Sequence, residues 1–180
     1  RRCYFSKYHF IIIYLFDKIT MVIDVKYRTY ITLIVALIID QLSKFLVIKY
    51  IALNHSITII DNFFKLIYIR NTGAAWGMFD DKTIIIAILS AVFLFFLIKF
   101  IEEEKNMDKF LQFCYGTLLG GIIGNLLDRL LRGYVIDFLS FKIFNYNYPI
   151  FNIADVFIVV SIILIVLFYF VGWCKNEKKG

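Results

Sequence analysis

Four stretches of the chain are dominated by apolar residues, at about 30–51, 83–101, 109–127 and 152–173. Each is near the twenty or so residues that an α-helix needs to cross about 30 Å of hydrocarbon. The pattern predicts four membrane-spanning helices in a mainly α, polytopic bundle. An even number of spans leaves both chain ends on one side. Between spans two and three lies "EEEKNMDK", a short solvated turn. The two other connections, 52–82 and 128–151, share the far side. The first contains "SITIIDNFFKLIYIRNTGAAWGMF", rich in β-branched and aromatic residues and alternating in "KLIYIR". It predicts a small β element, and its Phe63, Phe64, Tyr68 and Trp76 suit the membrane surface, where aromatic rings settle.

Ahead of the first span, "HFIIIYLF" is apolar but too short to cross. Residues 1–20 are expected to be an extension rather than a fifth span, with Met21 a natural start and residues 21–180 a single membrane-embedded domain. No small-residue cleavage site follows, as a signal peptide would require.

Composition agrees with the periodicity. Hydrophobic residues make up 61% of the 180 positions, and mean hydropathy is +0.78; soluble domains hold about 45–50% apolar residues. The net charge of +6 matters through its position. Arg1, Arg2, Lys7, Lys18, Lys26 and Arg28 precede the first span, and Lys175, Lys178 and Lys179 follow the last. The positive-inside rule then places both termini in the cytoplasm. These cations flank spans rather than forming a stripe, so nucleic acid is not an expected partner. Cys3, Cys114 and Cys174 have no CxxC spacing, and His9 and His55 are isolated; no metal or cofactor is expected.

Ionisable residues within spans are costly and point to function. Asp40 and Lys44 in span one are four apart, so they share a helix face and can pair. The pair is either structural or part of a site in the outer half of the span. In span three, Gly116, Gly120 and Gly124 form a stripe that lets another helix approach closely. Steps of four continue it to Asp128 and Arg132, and lead from Gly121 to Asn125 and Arg129. One small-residue face therefore turns polar toward the far side. Packing glycines followed by interface polars would account for the glycines, but less well for Asn125, Asp128 and Arg129 together.

"YVIDFLSF" carries Asp137 among apolar neighbours. It is either a loop carboxylate paired with Arg129 or Arg132, or half of a reactive pair. In "FNIAD", Asn152 suits an N-cap and Asp155 the third helical position, where the helix dipole favours an anion. Topology adds a second reading for both. Asp137 follows span three and Asp155 opens span four, so both lie on the same far side near the membrane surface. Two carboxyls brought together do not both ionise cheaply; one keeps a proton while the other acts as base. Such a pair can activate water against an amide and protonate the leaving amine. "NTGAA" imitates the aspartate-threonine-glycine turn of soluble aspartic proteases, but its first residue is Asn71, without a carboxylate. A transport or lipid-carrier protein using Asp40, Lys44, Asp128 and Arg129 as a polar relay is a rival reading. A structural subunit binding a partner helix through its glycine stripe is another.

"DQLSK" at 40–44, "NTGAAWGMF" at 71–79, "GGIIGNLLDR" at 120–129, "VIDF" at 135–138 and "FNIAD" at 151–155 occur in this order. Together they resemble the lipoprotein signal peptidase (signal peptidase II) family of bacteria over about residues 25–173. The resemblance implies an intramembrane aspartic endopeptidase that removes signal peptides from diacylated prolipoproteins, cutting just before the lipid-bearing cysteine. It implies a four-helix bundle with a small extracytoplasmic β-cradle, in the bacterial inner (plasma) membrane, with the active site near the extracytoplasmic face. The family's catalytic pair falls on Asp137 and Asp155, and its substrate-contacting residues on Asn71, Asn125, Arg129 and Asn152. Asp40, Lys44, Gly121 and Asp128 match positions that support the site. Membrane lipids are expected partners, and a monomer is the expected state. Residues 1–20 have no counterpart in the family pattern, and Trp76 stands where Phe is common.

Overall fold

The computed structural model describes residues 5–73 and 82–177, with side chains at 26–73 and 82–174. Four helices dominate: α1 (Phe5–Tyr50), α2 (Thr83–Glu103), α3 (Lys109–Arg132) and α4 (Ile153–Glu177). Each contains a span long and apolar enough to cross a membrane: Lys26–Tyr50, Thr83–Glu103, Lys109–Arg132 and Ile153–Cys174. The stretch before Met21 belongs to α1 without a break from Phe5 onward. At 1.5 Å per residue the 46-residue α1 is about 69 Å long, far more than a bilayer core.

Helix α3 is the centre of the bundle. Of its span 67% is buried, against 22%, 11% and 6% for the spans of α1, α2 and α4. Its glycines explain why. A Cβ on Gly120 would lie 2.7 Å from the Ala36 Cβ and 2.8 Å from the Leu33 carbonyl oxygen of α1. On Gly116 it would collide with Thr32, and on Gly124 with the Asp40 carboxylate. A Cβ on Gly121, one residue off this stripe, would lie 2.7 Å from the Ala154 carbonyl oxygen of α4. The small residues thus admit α1 on one side and the start of α4 on the other. The caps of α3 are local. The Asp108 side chain accepts from the Phe110 N–H at 2.7 Å, and Gly133, at φ 79°, closes the C-terminus through its N–H to the Arg129 carbonyl. Ile101, Leu111, Tyr115, Leu118 and Leu119 form a buried cluster where α2 meets α3.

The strands β1 (Ser56–Ile60), β2 (Phe64–Asn71), β3 (Val135–Ile143) and β4 (Tyr146–Asn147) form an antiparallel sheet in the order β1-β2-β3-β4. The sequence predicts a β element in 52–82 alone; β3 and β4 come instead from the second connection. A lone β1–β2 hairpin would leave β2 with an open row of N–H and C=O groups, and β3 fills it. Ile69 pairs with Asp137 and Asn71 with Val135, past an irregularity between Leu66 and Ile69. Asp137 is therefore a strand residue, not a loop carboxylate. Tyr68, Ile136 and Phe138 from the sheet pack with Val47 and Ile51 at the end of α1, which fixes the sheet on one end of the bundle.

Candidate active site

The local sequence dictates the start of α4. Asn152 caps it: its Oδ1 accepts from the Asp155 N–H at 3.0 Å, and Asp155 Oδ2 accepts from the Asn152 N–H at 3.0 Å. This is a reciprocal capping box with Asp in the third helical position. It leaves the Asn152 amide nitrogen free to reach outward. That nitrogen donates to Asp137 Oδ1 at 2.6 Å and to Asn125 Oδ1 at 3.1 Å. Asp137 and Asp155, 18 positions apart in sequence, are thus both held by Asn152.

Asp137 Oδ2 accepts from the Asn71 amide at 2.7 Å, while Asn71 Oδ1 accepts from the Gly73 N–H at 2.9 Å. The register of β2 against β3 brings Asn71 within reach. Neither Arg129 nor Arg132 is the hydrogen-bond partner of Asp137, and Arg132 pairs instead with Asp128 at 2.7 Å. Asp137 is almost fully buried. Burial pushes its carboxyl up to about 6, and the Asp155 charge adds to the rise. The Asn71 and Asn152 donors and the Lys44 cation oppose it.

Asn125 stands behind the pair on α3. Its amide nitrogen donates to Asp155 Oδ1 at 2.8 Å, and its Oδ1 accepts from Lys44 Nζ at 2.9 Å. Lys44 is fully buried and also lies 2.9 Å from both Asp40 Oδ2 and Asp128 Oδ2. Asp40 Oδ1 accepts from the Ala154 N–H at 3.1 Å, so the carboxylate of α1 caps the first turn of α4. Asp128 Oδ2 accepts from the Ile136 N–H at 3.4 Å, tying α3 to β3. A buried cation between two buried carboxylates therefore orients Asn125. The carboxylates fix the backbone beside Asp155 and beside Asp137.

The cavity at this point has a volume of about 520 Å³. Asn71, Asn125, Arg129, Asp137 and Asp155 give its polar wall; Val135, Phe151, Val156, Val159 and Val160 are among the apolar ones. Arg129 donates to the carbonyls of Asn125 and Gly73, each at 3.3 Å, and among the described residues its buried Nε has no partner. The site is consequently an apolar trough with two carboxyls, two amides and a guanidinium along one side.

All ten residues singled out from the sequence belong to this one assembly: eight side chains in a continuous polar network, Arg129 on the cavity wall, and Gly121 against the Ala154 carbonyl. Residues 74–81, Trp76 among them, lie outside the described residues. Sequence reasoning missed Gln41, whose amide donates to Asp40 Oδ2 at 3.0 Å and the Gly124 carbonyl at 3.2 Å. It is adjacent to Asp40 within "DQLSK", and that adjacency was the available signal. Tyr148 and Pro149, also in the cavity wall, carry no pattern that sets them apart in sequence.

Comparison with known proteins decides among the three readings. The model of the family described as signal peptidase (SPase) II matches residues 32–171. The chain belongs to the signal peptidase II family. Two solved bacterial membrane enzymes, determined by the in meso method at 2.3 and 1.9 Å, are similar to it. Each is 32% identical; the first gives a TM-score of 0.73 over 79% of this chain and 87% of its own, the second 0.69 over 77% and 90%. Signal peptidase II is an aspartic-type peptidase family, so the polar network belongs to a multi-pass membrane protease. The readings as a transport relay or a structural subunit are set aside.

Proposed function

We propose that Asp137 and Asp155 are the catalytic carboxyls and that the substrate is a diacylated prolipoprotein, cut just before its lipid-bearing cysteine. The observation that carries this reading is the Asn152 bridge, which holds two carboxyls side by side on one cavity wall. Burial raises the Asp137 carboxyl toward neutral pH, to about 6, so we assign to Asp137 the one proton that the pair carries in its reactive form. Asp155 takes a proton from water as the water oxygen attacks the scissile carbonyl carbon. Asp137 gives its proton to the leaving nitrogen as the C–N bond breaks, and proton return from Asp155 to Asp137 resets the pair.

Asn71, Asn125, Arg129 and Asn152 hold the substrate backbone through hydrogen bonds. The trough also suits an apolar helix that never leaves the bilayer: Val156, Val159 and Val160 form its floor, and the acyl chains stay in lipid. Asp40, Lys44, Gly121 and Asp128 keep the wall in place. Both termini are cytoplasmic, the site faces the extracytoplasmic side, and the working unit is a monomer.

The test is cleavage of diacylated prolipoprotein by the reconstituted protein. Asp137→Asn and Asp155→Asn each lower the rate by about 10³-fold or more while the protein inserts and folds normally. Full activity in either variant overturns the pair. Equal cleavage of unmodified prolipoprotein overturns the substrate class.

A further inference from the structure

The hairpin between β3 and β4 ends in a two-residue turn, Phe144–Asn145, closed by the Ile143–Tyr146 pair. Both turn residues have positive φ, 48° and 64°. Such a turn favours Asn-Gly, and a bulky residue at positive φ is a genuine outlier. Phe144 therefore gains nothing from the turn. It gains nothing from packing either, since its side chain is 100% exposed. Two positions on, Tyr146 is 53% exposed and its ring meets that of Tyr148 edge-on at 5.2 Å.

The surroundings indicate what covers these rings. Leu130 and Leu131, in the last turn of the spanning helix α3, are 66% and 75% exposed, so the lipid-facing belt reaches within a few residues of β3. The hairpin returns directly into the spanning helix α4. We propose that the Phe144 tip, flanked by Tyr146 and Tyr148, inserts into the headgroup region of a phospholipid bilayer. Aromatic rings with an apolar body and a polar tip partition there. Tyr148 belongs to the cavity wall, so the same hairpin fixes the height of the trough relative to the membrane surface. The inference does not depend on which residues carry the chemistry.

The test places a nitroxide label on Asn147→Cys, in a background with Cys3, Cys114 and Cys174 replaced. The protein is reconstituted in phosphatidylethanolamine–phosphatidylglycerol bilayers. Relaxation by oxygen is compared with relaxation by a water-soluble nickel chelate. The expected result is oxygen-favoured relaxation in the parent. It turns nickel-favoured in Phe144→Asn/Asn145→Gly, a variant that installs the preferred turn and keeps the hairpin folded. Phe144→Trp retains the parent's depth. Nickel-favoured relaxation in the parent overturns the proposal, and so does an unchanged depth in the Asn-Gly variant.

Discussion

Asp137 and Asp155 have no covalent or sequence proximity, yet Asn152 binds both, one through its side-chain amide and the other through its backbone N–H. Its side-chain oxygen meanwhile caps α4. Two substitutions separate these duties. Asn152→Ala removes the cap and the bridge together, so it costs about 1 kcal/mol of stability through the cap and about 10²-fold or more in cleavage. Asn152→Ser keeps a cap oxygen but has no amide. It recovers most of the cap energy while cleavage stays low. Thermal unfolding in detergent and the prolipoprotein assay, run on both variants, read the two effects apart.

The raised Asp137 carboxyl makes folding pH-dependent. Below its ordinary value of 3.8, the group is protonated folded and unfolded, and it costs nothing. Between about 4 and 6 the unfolded chain releases the proton while the folded chain holds it, so stability falls as pH rises; above about 6 the cost is complete. Asp137→Asn removes that cost. It also loses one hydrogen bond, because Asn71 and Asn152 donate to different carboxylate oxygens and the amide places an NH2 where one of those oxygens stood, and that loss is about 1 kcal/mol. The expected net outcome is a variant about 1–2 kcal/mol more stable than the parent at neutral pH. The advantage vanishes, or reverses, near pH 4. Unfolding midpoints across this range check the sign.

Much of this site was legible in the sequence because it is built from local rules. Steps of four on a helix carried Gly116, Gly120 and Gly124 to Asp128, and Gly121 to Asn125. The capping signature at Asn152 and Asp155 is a four-residue motif. Asp40 and Lys44 are one helical turn apart. What was not legible depends on pairing across the chain. No local pattern says that β2 takes β3 as its neighbour, so Asp137 reads as a loop residue, with arginine partners as one of its two alternatives. The register of Ile69 against Asp137 brings it Asn71, and the cap of α4 brings it Asn152. Likewise the bond from Ala154 N to Asp40 spans 114 positions. It exists only because Gly121 and Gly124 let three helices meet at one level.

That close approach is itself testable. A Cβ at Gly121 would press on the Ala154 carbonyl in the first turn of α4, two residues from Asn152 and next to Asp155. Gly121→Ala is therefore expected to destabilise by about 1–3 kcal/mol, as overpacking does, and to lower cleavage more than the stability loss explains. Gly172→Ala is the control. Among the described residues nothing lies within 4 Å of its Cβ position, so it is expected to gain up to about 1 kcal/mol from helix propensity, with full activity.

Lys44 gives the sharpest energetic prediction. It is fully buried between Asp40 and Asp128, at 2.9 Å from each, with the remaining proton directed at Asn125 Oδ1. Removing the cation leaves two buried carboxylates facing each other, with Arg132, Gln41 and the Ala154 and Ile136 N–H groups as their remaining donors. Lys44→Met should cost about 3–5 kcal/mol, the range for breaking a buried pair at one end. Much of that cost comes from the stranded charge rather than the lost attraction. Lys44→Met/Asp40→Asn, which removes one charge of each sign, is then more stable than Lys44→Met alone. A double-mutant cycle on unfolding midpoints measures this. Cleavage follows a different rule. Without Lys44 the Asn125 oxygen keeps only the Asn152 amide as donor and its nitrogen is held toward Asp155 less firmly, so the double variant regains stability but not full activity. A double variant that recovers both would show that Lys44 serves the fold alone.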